Sequence, residues 1–423
     1  MSASPTPESL LALVHDRPGA IALDGEGWKQ RFVAWSPAEV VTGGSGWWQA
    51  VRAFPKTDLC AGYIGYGAGP TFDAFAPSRP TQEPPVWLAR YPGWVAWDHR
   101  GECTIHGPDA FRDEARALLA QAAPLPTPAD PEPTPSITVD RDDYLAAIRQ
   151  ILAWIADGEC YQVNLARHVD VAAIPDPWPV WRRLRAKAQP RFGAYLRFAH
   201  NGAVLSASPE LFLAHEAGNL YSLPIKGTRP RGRDADDDAR LASELEGSEK
   251  DRAELSMIVD LVRNDLGRVA DPGTVVWEPR RLFSTPYVHH AVQGVRARLA
   301  AERDLWDATA AAFPPGSVTG APKIRACAKI AACEPEPRGV YCGAVGYVLG
   351  DAAVFNVAIR TAVWSAQSGG RIRYFVGGGI VADSDPEAEW DETEAKAAAL
   401  ASACGQATTR TTKYPSRTLS LLG

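Results

Sequence analysis

Two hydrophobic periods run along the chain. Short apolar runs bounded by turn residues, at 20–23, 61–66 and 94–97, read as strands in the first 120 residues. Further on, apolar residues at helical spacing predict a helix over 144–157 and others over 248–266, 305–313, 323–332 and 386–402. Between them, segments 161–169, 194–197, 204–206, 343–349, 354–363 and 371–376 have strand character. The strands come in clusters and do not alternate strictly with helices, so the pattern reads as α+β rather than a doubly wound parallel sheet. The seven tryptophans Trp28, Trp35, Trp47, Trp48, Trp87, Trp94 and Trp97 are expected to fill a core between layers.

The pattern breaks once. Residues 121–138, QAAPLPTPADPEPTPSIT, carry six prolines and little to bury, which predicts an extended spacer. The expected organisation is an N-terminal region 1–120, a linker 121–138, a larger region 139–404 and a frayed polar tail 405–423.

A length of 423 residues exceeds one ordinary hydrophobic core. The net charge of −6 offers nothing to nucleic acid or to an anionic membrane. Any anionic substrate must be drawn in by local cations or a metal. Seven cysteines without a C-x-x-C pair argue against a disulfide framework or a zinc site. The start MSASPTPESL lacks a signal-peptide pattern, and no run of 18 apolar residues exists, so a cytoplasmic protein is expected.

Two helices are rich in acid. In SEKDRAELSMIVDLVRNDLGRV, Ser248 is placed to cap, with Asp251 three residues on and Glu254 on a neighbouring face. In DPEAEWDETEAKAAAL, Asp385 is the expected N-cap, and Glu389, Glu392 and Lys396 form one stripe. Either stripe reads most simply as solvated surface. The sharper reading is a magnesium site shared by the two helices, since magnesium takes oxygen ligands from one or two carboxylates plus substrate and water. Lys226, in LPIKGTRPRGR, stands before a glycine–proline turn. It is an ordinary exposed lysine unless desolvation and Arg229 lower its pKa enough to make it a nucleophile. Glu210, in SASPELF, is either structural or a general acid. His290 is either a satisfied core histidine or a site residue. Thr319 and Gly320 open a broken loop before Lys323, where backbone N–H groups can meet a carboxylate. Arg360 sits inside the apparent strand FNVAIRTAV and needs a partner, for which a substrate carboxylate is a candidate. Gly377, Gly378 and Gly379 are a turn signal that also permits close approach of an anion. No phosphate-binding glycine motif is present.

In order, CYQVNLAR, SASPELF, PIKGTRPRG, SEKDRAELSMIVDLVRNDLGRV, FPPGSVTGAPK, GAVGYV, FNVAIRT, VGGGIV and EAEWDETEAKA span residues 138–404. The series resembles the chorismate-binding family, whose branches form anthranilate, aminodeoxychorismate, isochorismate and salicylate. The resemblance implies layered antiparallel β-sheets flanked by helices, with the site between the layers. By position, Glu254 and Glu392 match the family's magnesium ligands, with Glu389 beside the metal. Glu210 matches its acid/base glutamate. Thr319, Tyr347, Arg360 and Gly377, Gly378 and Gly379 match positions lining the chorismate pocket, as do Lys396 and His290. Gln162 stands where the water-using branches carry a lysine, which points to ammonia as nucleophile. Lys226 stands where anthranilate-forming members read P-I-A-G-T. The lysine is typical of the 4-aminating branch, where it adds at C2 and expels the C4 hydroxyl before ammonia enters at C4. The expected activity is conversion of chorismate and ammonia to 4-amino-4-deoxychorismate, on the route to 4-aminobenzoate and folate. The alternatives are 2-amination, as in anthranilate synthesis, and a non-catalytic binding paralogue. Ammonia is expected from a separate glutamine amidotransferase subunit, and a separate lyase is expected to take the product.

Overall fold

The computed structural model describes residues 4–73, 75, 79–285 and 288–412. Its strands form three sheets, of twelve, nine and three strands among the described residues. The twelve-stranded sheet runs in the order Gln406–Thr412, Thr134–Val139, Gln162–Ala172, Arg371–Ile380, Thr361–Ser365, Gly202–Ser208, Phe192–Ala199, Ile21–Asp24, Arg31–Ala34, Trp94–Trp97 and Cys103–His106. The short strand Gly320–Ala321 pairs beside Gln162. The nine-stranded sheet is built around Leu211–Glu216, Ala352–Val357, Ala344–Leu349 and Leu59–Ile64. The small sheet joins Ile225–Pro230, Val288–Val292 and Arg281–Ser284.

Strand alternation explains the layering. Side chains of one parity from each large sheet meet in a shared core containing Ile21, Leu23, Phe32, Tyr63, Trp87, Trp94, Phe192, Leu196, Tyr347 and Val354. The opposite parity of the twelve-stranded sheet packs under helices Pro177–Ala188 and Pro386–Cys404, through Trp181, Trp364, Tyr374 and Leu400. Helix Glu249–Gly267 lays its predicted stripe, Leu255, Ile258, Val259, Val262 and Leu266, on a core shared with the nine-stranded sheet. The tryptophans divide accordingly. Trp28, Trp87 and Trp94 lie between the sheets, Trp35 and Trp97 beneath the helices, and Trp47, with half-buried Trp48, in the third core.

Several expectations need correction. The proline-rich stretch divides the sequence but not the core. Ile21–Asp24 pairs with Phe192–Ala199, and Leu59–Ile64 pairs with Ala344–Leu349, so both large sheets are woven from both sides of it. Its end, Thr134–Val139, is itself a strand. The tail does not fray at 405: Gln406–Thr412 pairs in parallel with Thr134–Val139, while residues 413–423 lie outside the described residues. The run 354–363 is two strands. Ala352–Val357 belongs to the nine-stranded sheet and Thr361–Ser365 to the twelve-stranded one, so the chain changes layers at Arg360 (φ 52°). An arginine in the left-handed region is uncommon, and here it turns the chain between the sheets. Gly377, Gly378 and Gly379 make no turn; they continue strand Arg371–Ile380 against Asn164 to Ala166.

Candidate active site

A cavity of about 820 Å³ opens where the small sheet, the two acidic helices and the glycine end of strand Arg371–Ile380 converge. Thirteen of the residues singled out in the sequence line it: Glu210, Lys226, Arg229, Ser248, Asp251, Glu254, His290, Arg360, Gly377, Gly379, Glu389, Glu392 and Lys396. They come from positions up to 186 residues apart, and only the tertiary fold joins them.

Lys226 lies inside strand Ile225–Pro230 rather than before a turn. The register with Val288–Val292 shifts between Ile225 and Thr228, and Gly227 takes φ +82°. This is the form of a bulge, which re-aims a side chain. A Cβ on Gly227 would lie 2.8 Å from the Asp251 carboxylate, so both the φ and the space demand glycine. On the facing strand, a Cβ at Gly379 would sit 2.3 Å from Gln162 Nε2 and 3.3 Å from Lys226 Nζ. The missing side chain at 379 is the room these two groups occupy. Burial pulls Lys226 below the usual lysine range, Glu254 draws it back up, and Lys396 adds to the depression. Gly379→Ala is expected to keep the fold but push the Gln162 amide and Lys226 aside, lowering kcat roughly 10- to 100-fold. Circular-dichroism melting and steady-state rates on one sample check this.

The acids face the same space. Ser248 caps helix Glu249–Gly267 by accepting from Asp251 N at 3.2 Å, but the Asp251 carboxylate turns to Arg229 instead of closing the box. Asp385 caps helix Pro386–Cys404 by accepting from Ala388 N. Burial raises Glu254 and Glu389 above the usual carboxylate range, and each is raised further by Glu392. Glu389 accepts a hydrogen bond from Ser384 Oγ at 2.7 Å. Burial also opposes charge on Glu392, yet Lys396 at 2.5 Å holds it below that range. Lys396 also donates to Gly377 O at 2.9 Å. Among the described residues, no three carboxylates, imidazoles or thiols stand close enough to enclose a metal ion by themselves. Buried Glu389, half-buried Glu254 and the more exposed Glu392 nevertheless suit a hard cation whose shell is completed by substrate and water.

Glu210 is 4 % exposed. Burial pushes its carboxyl up to about 7, against the Ser317 hydroxyl and Lys226, which favour the charged form. His290 is pushed down to about 4 by burial and by Arg360 and Arg191, so its ring is neutral at pH 7. Its Nδ1 shares a 2.9 Å hydrogen bond with Thr228 Oγ1. Arg360 donates to Lys396 O at 2.7 Å, and burial lowers its pKa. The cavity thus combines a carboxyl raised to about 7, a lysine lowered by burial, and cations suited to carboxylates.

The sequence profile of the chorismate binding enzymes matches residues 21–402. The chain belongs to the chorismate binding enzymes. It is 40% identical over 340 residues to aminodeoxychorismate synthase component 1 of Salmonella typhimurium, covering 78% of this chain and 73% of that protein. It is 43% identical over 358 residues to the aminodeoxychorismate synthase of Streptomyces griseus, covering 80% of this chain but only 49% of that protein. Anthranilate synthase component 1 of Streptomyces coelicolor is 44% identical over 255 residues, covering 60% of this chain and 49% of that protein. Among solved structures, anthranilate synthase component I of Streptococcus pneumoniae superposes with a TM-score of 0.75 at 24% identity, covering 89% of this chain and 93% of that one. The menaquinone-specific isochorismate synthase of Escherichia coli gives 0.76 at 21% identity, covering 94% and 91%. These two establish a shared fold of layered antiparallel sheets and flanking helices.

Three expected pocket positions of this chorismate-binding chain lie off the cavity wall. Thr319 is wholly buried, and its hydroxyl donates within its own loop, to Pro315 O and Gly316 O. Tyr347 packs edge-on to Phe32, ring centroids 4.7 Å apart, in the core between the sheets. Gly378 stands behind the wall, where a Cβ would come 2.8 Å from Glu389 Oε2. Lys323, at the expected anion-binding helix start, is buried in an ion pair with Asp265 at 2.6 Å. The wall contains Ser317, Tyr341 and Asn164 instead, which sequence reasoning passed over. Asn164 had a signal: it shares strand parity with Gln162. Tyr341 and Ser317 had none, because no local period marks a side chain that reaches across layers.

Proposed function

We propose that this chain converts chorismate and ammonia to 4-amino-4-deoxychorismate through a Lys226-bound intermediate. The observation that carries the reading is Lys226 on its bulge, close to Gln162, within a cavity that also holds Glu210, whose carboxyl burial pushes up to about 7. The free amine forms a bond to chorismate C2. Both conjugated ring double bonds shift, and the C4 hydroxyl departs as water with the proton of Glu210. Ammonia then adds at C4 and both double bonds return, releasing Lys226 from C2, and the new ammonium gives a proton back to the Glu210 carboxylate. The enolpyruvyl group stays attached. Arg360 and Lys396 are placed to orient carboxylates, and neutral His290 holds the Thr228 side of the cavity. Glu254, Glu389 and Glu392 are the residues to hold magnesium, which supplies charge neutralisation for a substrate carboxylate when bound. The ammonia source in this reading is a separate amidotransferase subunit. A lyase acts on the product, and the setting is the cytoplasm.

A second reading is 2-amination with loss of pyruvate, favoured by the similarity to anthranilate synthase component 1 of Streptomyces coelicolor. Lys226 separates the two, since direct attack at C2 leaves that carbon closed to a lysine. The test is mass spectrometry of chorismate, magnesium and an ammonium salt incubated with the purified chain. A product that keeps the enolpyruvyl group and yields 4-aminobenzoate with added lyase is expected, whereas anthranilate and free pyruvate would refute it. Omitting magnesium and adding a chelator is expected to abolish turnover, reversibly on adding the metal back.

A further inference from the structure

Strand Ile225–Pro230 is held least by its own ladder where Lys226 sits. Against Val288–Val292, Ile225 faces Val292 and Thr228 faces His290, so Lys226 and Gly227 together oppose Ala291 alone. Two residues against one leave the ladder locally broken. A nucleophile misplaced by about 1 Å can lose roughly 10²-fold in rate, so something besides the sheet has to fix this one.

That support comes from behind the strand, at the junction of helices Ala235–Gly247 and Glu249–Gly267. A Cβ on Gly227 would meet Asp251 Cγ, Asp251 Oδ1 and Leu245 Cδ1, each at 2.8 Å, so the bulge rests on one carboxylate and one buried leucine. Asp251 is fixed in turn. Its backbone N–H donates to Ser248 Oγ at 3.2 Å, and its Oδ2 accepts from Arg229 Nη2 at 3.2 Å. Arg229 stands two residues beyond the bulge on the same strand. Its Nη1 donates to Thr228 O at 3.0 Å and its Nε to Glu244 Oε1 at 2.9 Å. One guanidinium therefore joins the strand to both helices and closes a ring of contacts around Gly227. The side chains of Asp251 and Arg229 are 15 % and 25 % exposed, and that of Glu244 is 50 % exposed. The bond to Asp251 is thus the shielded one, while the bond to Glu244 lies at the surface, where an ion pair contributes little. The neighbouring cation that adds to the depression of Lys226, behind burial as the main cause, is Lys396. Arg229 turns its guanidinium to the two carboxylates instead of lowering the lysine.

We propose that Arg229 and Asp251 are positioning residues for the amine attack: their ion pair closes on the Gly227 bulge and sets where Lys226 Nζ stands against the ring carbon. The proposal rests on the amination reading. Neither side chain makes or breaks a bond. Glu254 lies three residues beyond Asp251 and also lines the cavity, so the same pair ties the lysine strand to a helix that carries an acid of the site. With its carboxylate drawn to the strand, Asp251 is left out of the group of Glu254, Glu389 and Glu392.

The test is steady-state kinetics of the full chain with chorismate, magnesium and an ammonium salt. Arg229→Gln and Asp251→Asn are each expected to lower kcat roughly 10- to 100-fold, while the chorismate KM and the magnesium concentration for half-maximal rate stay within about threefold. Both break one ion pair, so the double variant is expected to match the slower single variant within about twofold. Arg229→Lys, which keeps a cation for Asp251, is expected to return kcat to within about fivefold of wild type. Glu244→Gln, at the exposed end, is expected to stay within about twofold. Losses that multiply in the double variant, or an Arg229→Lys as slow as Arg229→Gln, would mean packing alone and overturn the proposal. A raised magnesium requirement confined to Asp251→Asn overturns it too, because Asp251 would then serve the cation. If Asp251→Asn does not fold, the contrast between Arg229→Gln and Arg229→Lys decides. A wild-type chain that aminates nothing fails the proposed function instead, and is recognised before any variant is made.

Discussion

Lys226→Ala is expected to slow amination by roughly 10³-fold or more while chorismate still binds with a KM within about threefold of wild type. The loss is large because the amine is the attacking atom, and among the described residues no other amine stands on the same bulge. Binding survives because Arg360, Lys396 and the carboxylates that would hold a cation are untouched. Lys226→Arg is expected not to rescue, since a guanidinium stays protonated and cannot attack. Lys226→Ala should leave melting behaviour close to wild type, because Lys226 is half-buried and makes no ion pair within 4.0 Å among the described residues, whereas Lys226→Arg places a permanent charge where burial opposes one and should melt lower. Full turnover in Lys226→Ala would end the covalent reading, whatever the product.

Glu210→Gln is expected to move activity and stability in opposite directions. In the folded protein the carboxyl titrates at about 7, against a usual value near 4.5, and burial is the main cause. Raising the pH through this interval ionises the group freely in the unfolded chain but against resistance in the folded one. Stability is therefore lost as pH rises from the ordinary glutamate range to about 7. The neutral amide removes that penalty, so the variant should be more stable at pH 8 by roughly 3 kcal/mol at most, and equal to wild type near pH 4. Activity should fall about 10²- to 10⁴-fold, because an amide has no proton to give the departing hydroxyl. In the wild type, the activity limb that depends on protonated Glu210 should decline above about pH 7. Parallel denaturation curves at the two pH values, with rates from the same preparations, check both signs. A variant less stable than wild type at pH 8 would mean that the carboxyl is stabilised by its contacts with Ser317 and Lys226.

Much of the chemistry is legible in the order of residues alone. Ser248 and Asp385 mark their helix starts, and the stripe Leu255, Ile258, Val259, Val262 and Leu266 marks the buried face, because capping and helical period are local properties. Asp251, Glu254, Glu389 and Glu392 on those two helices line one cavity with Lys226 and Glu210. Tyr347 and Thr319 do not. Thr319 directly follows wall residues Ser317 and Val318, while Tyr347 lies in a strand that runs into the core between the sheets, and matching a motif does not tell which member of it points inward. Tyr341, six residues before Tyr347, reaches the wall because its segment precedes the strand that carries Tyr347 into the core between the sheets.

By itself, the sequence determined the kinds of element, their caps and the family's motif order, since each is written within a few turns or a single strand. The tertiary structure alone decided that residues 1–120 share both large sheets with the rest, that the chain changes sheets at Arg360, and that Gly379 makes room for Lys226 and Gln162. Those facts depend on pairings between residues more than a hundred positions apart, such as Ile21 with Leu196 and Ala344 with Ile64. Strand parity fixes which side chains share a face, but only long-range pairing fixes what that face meets.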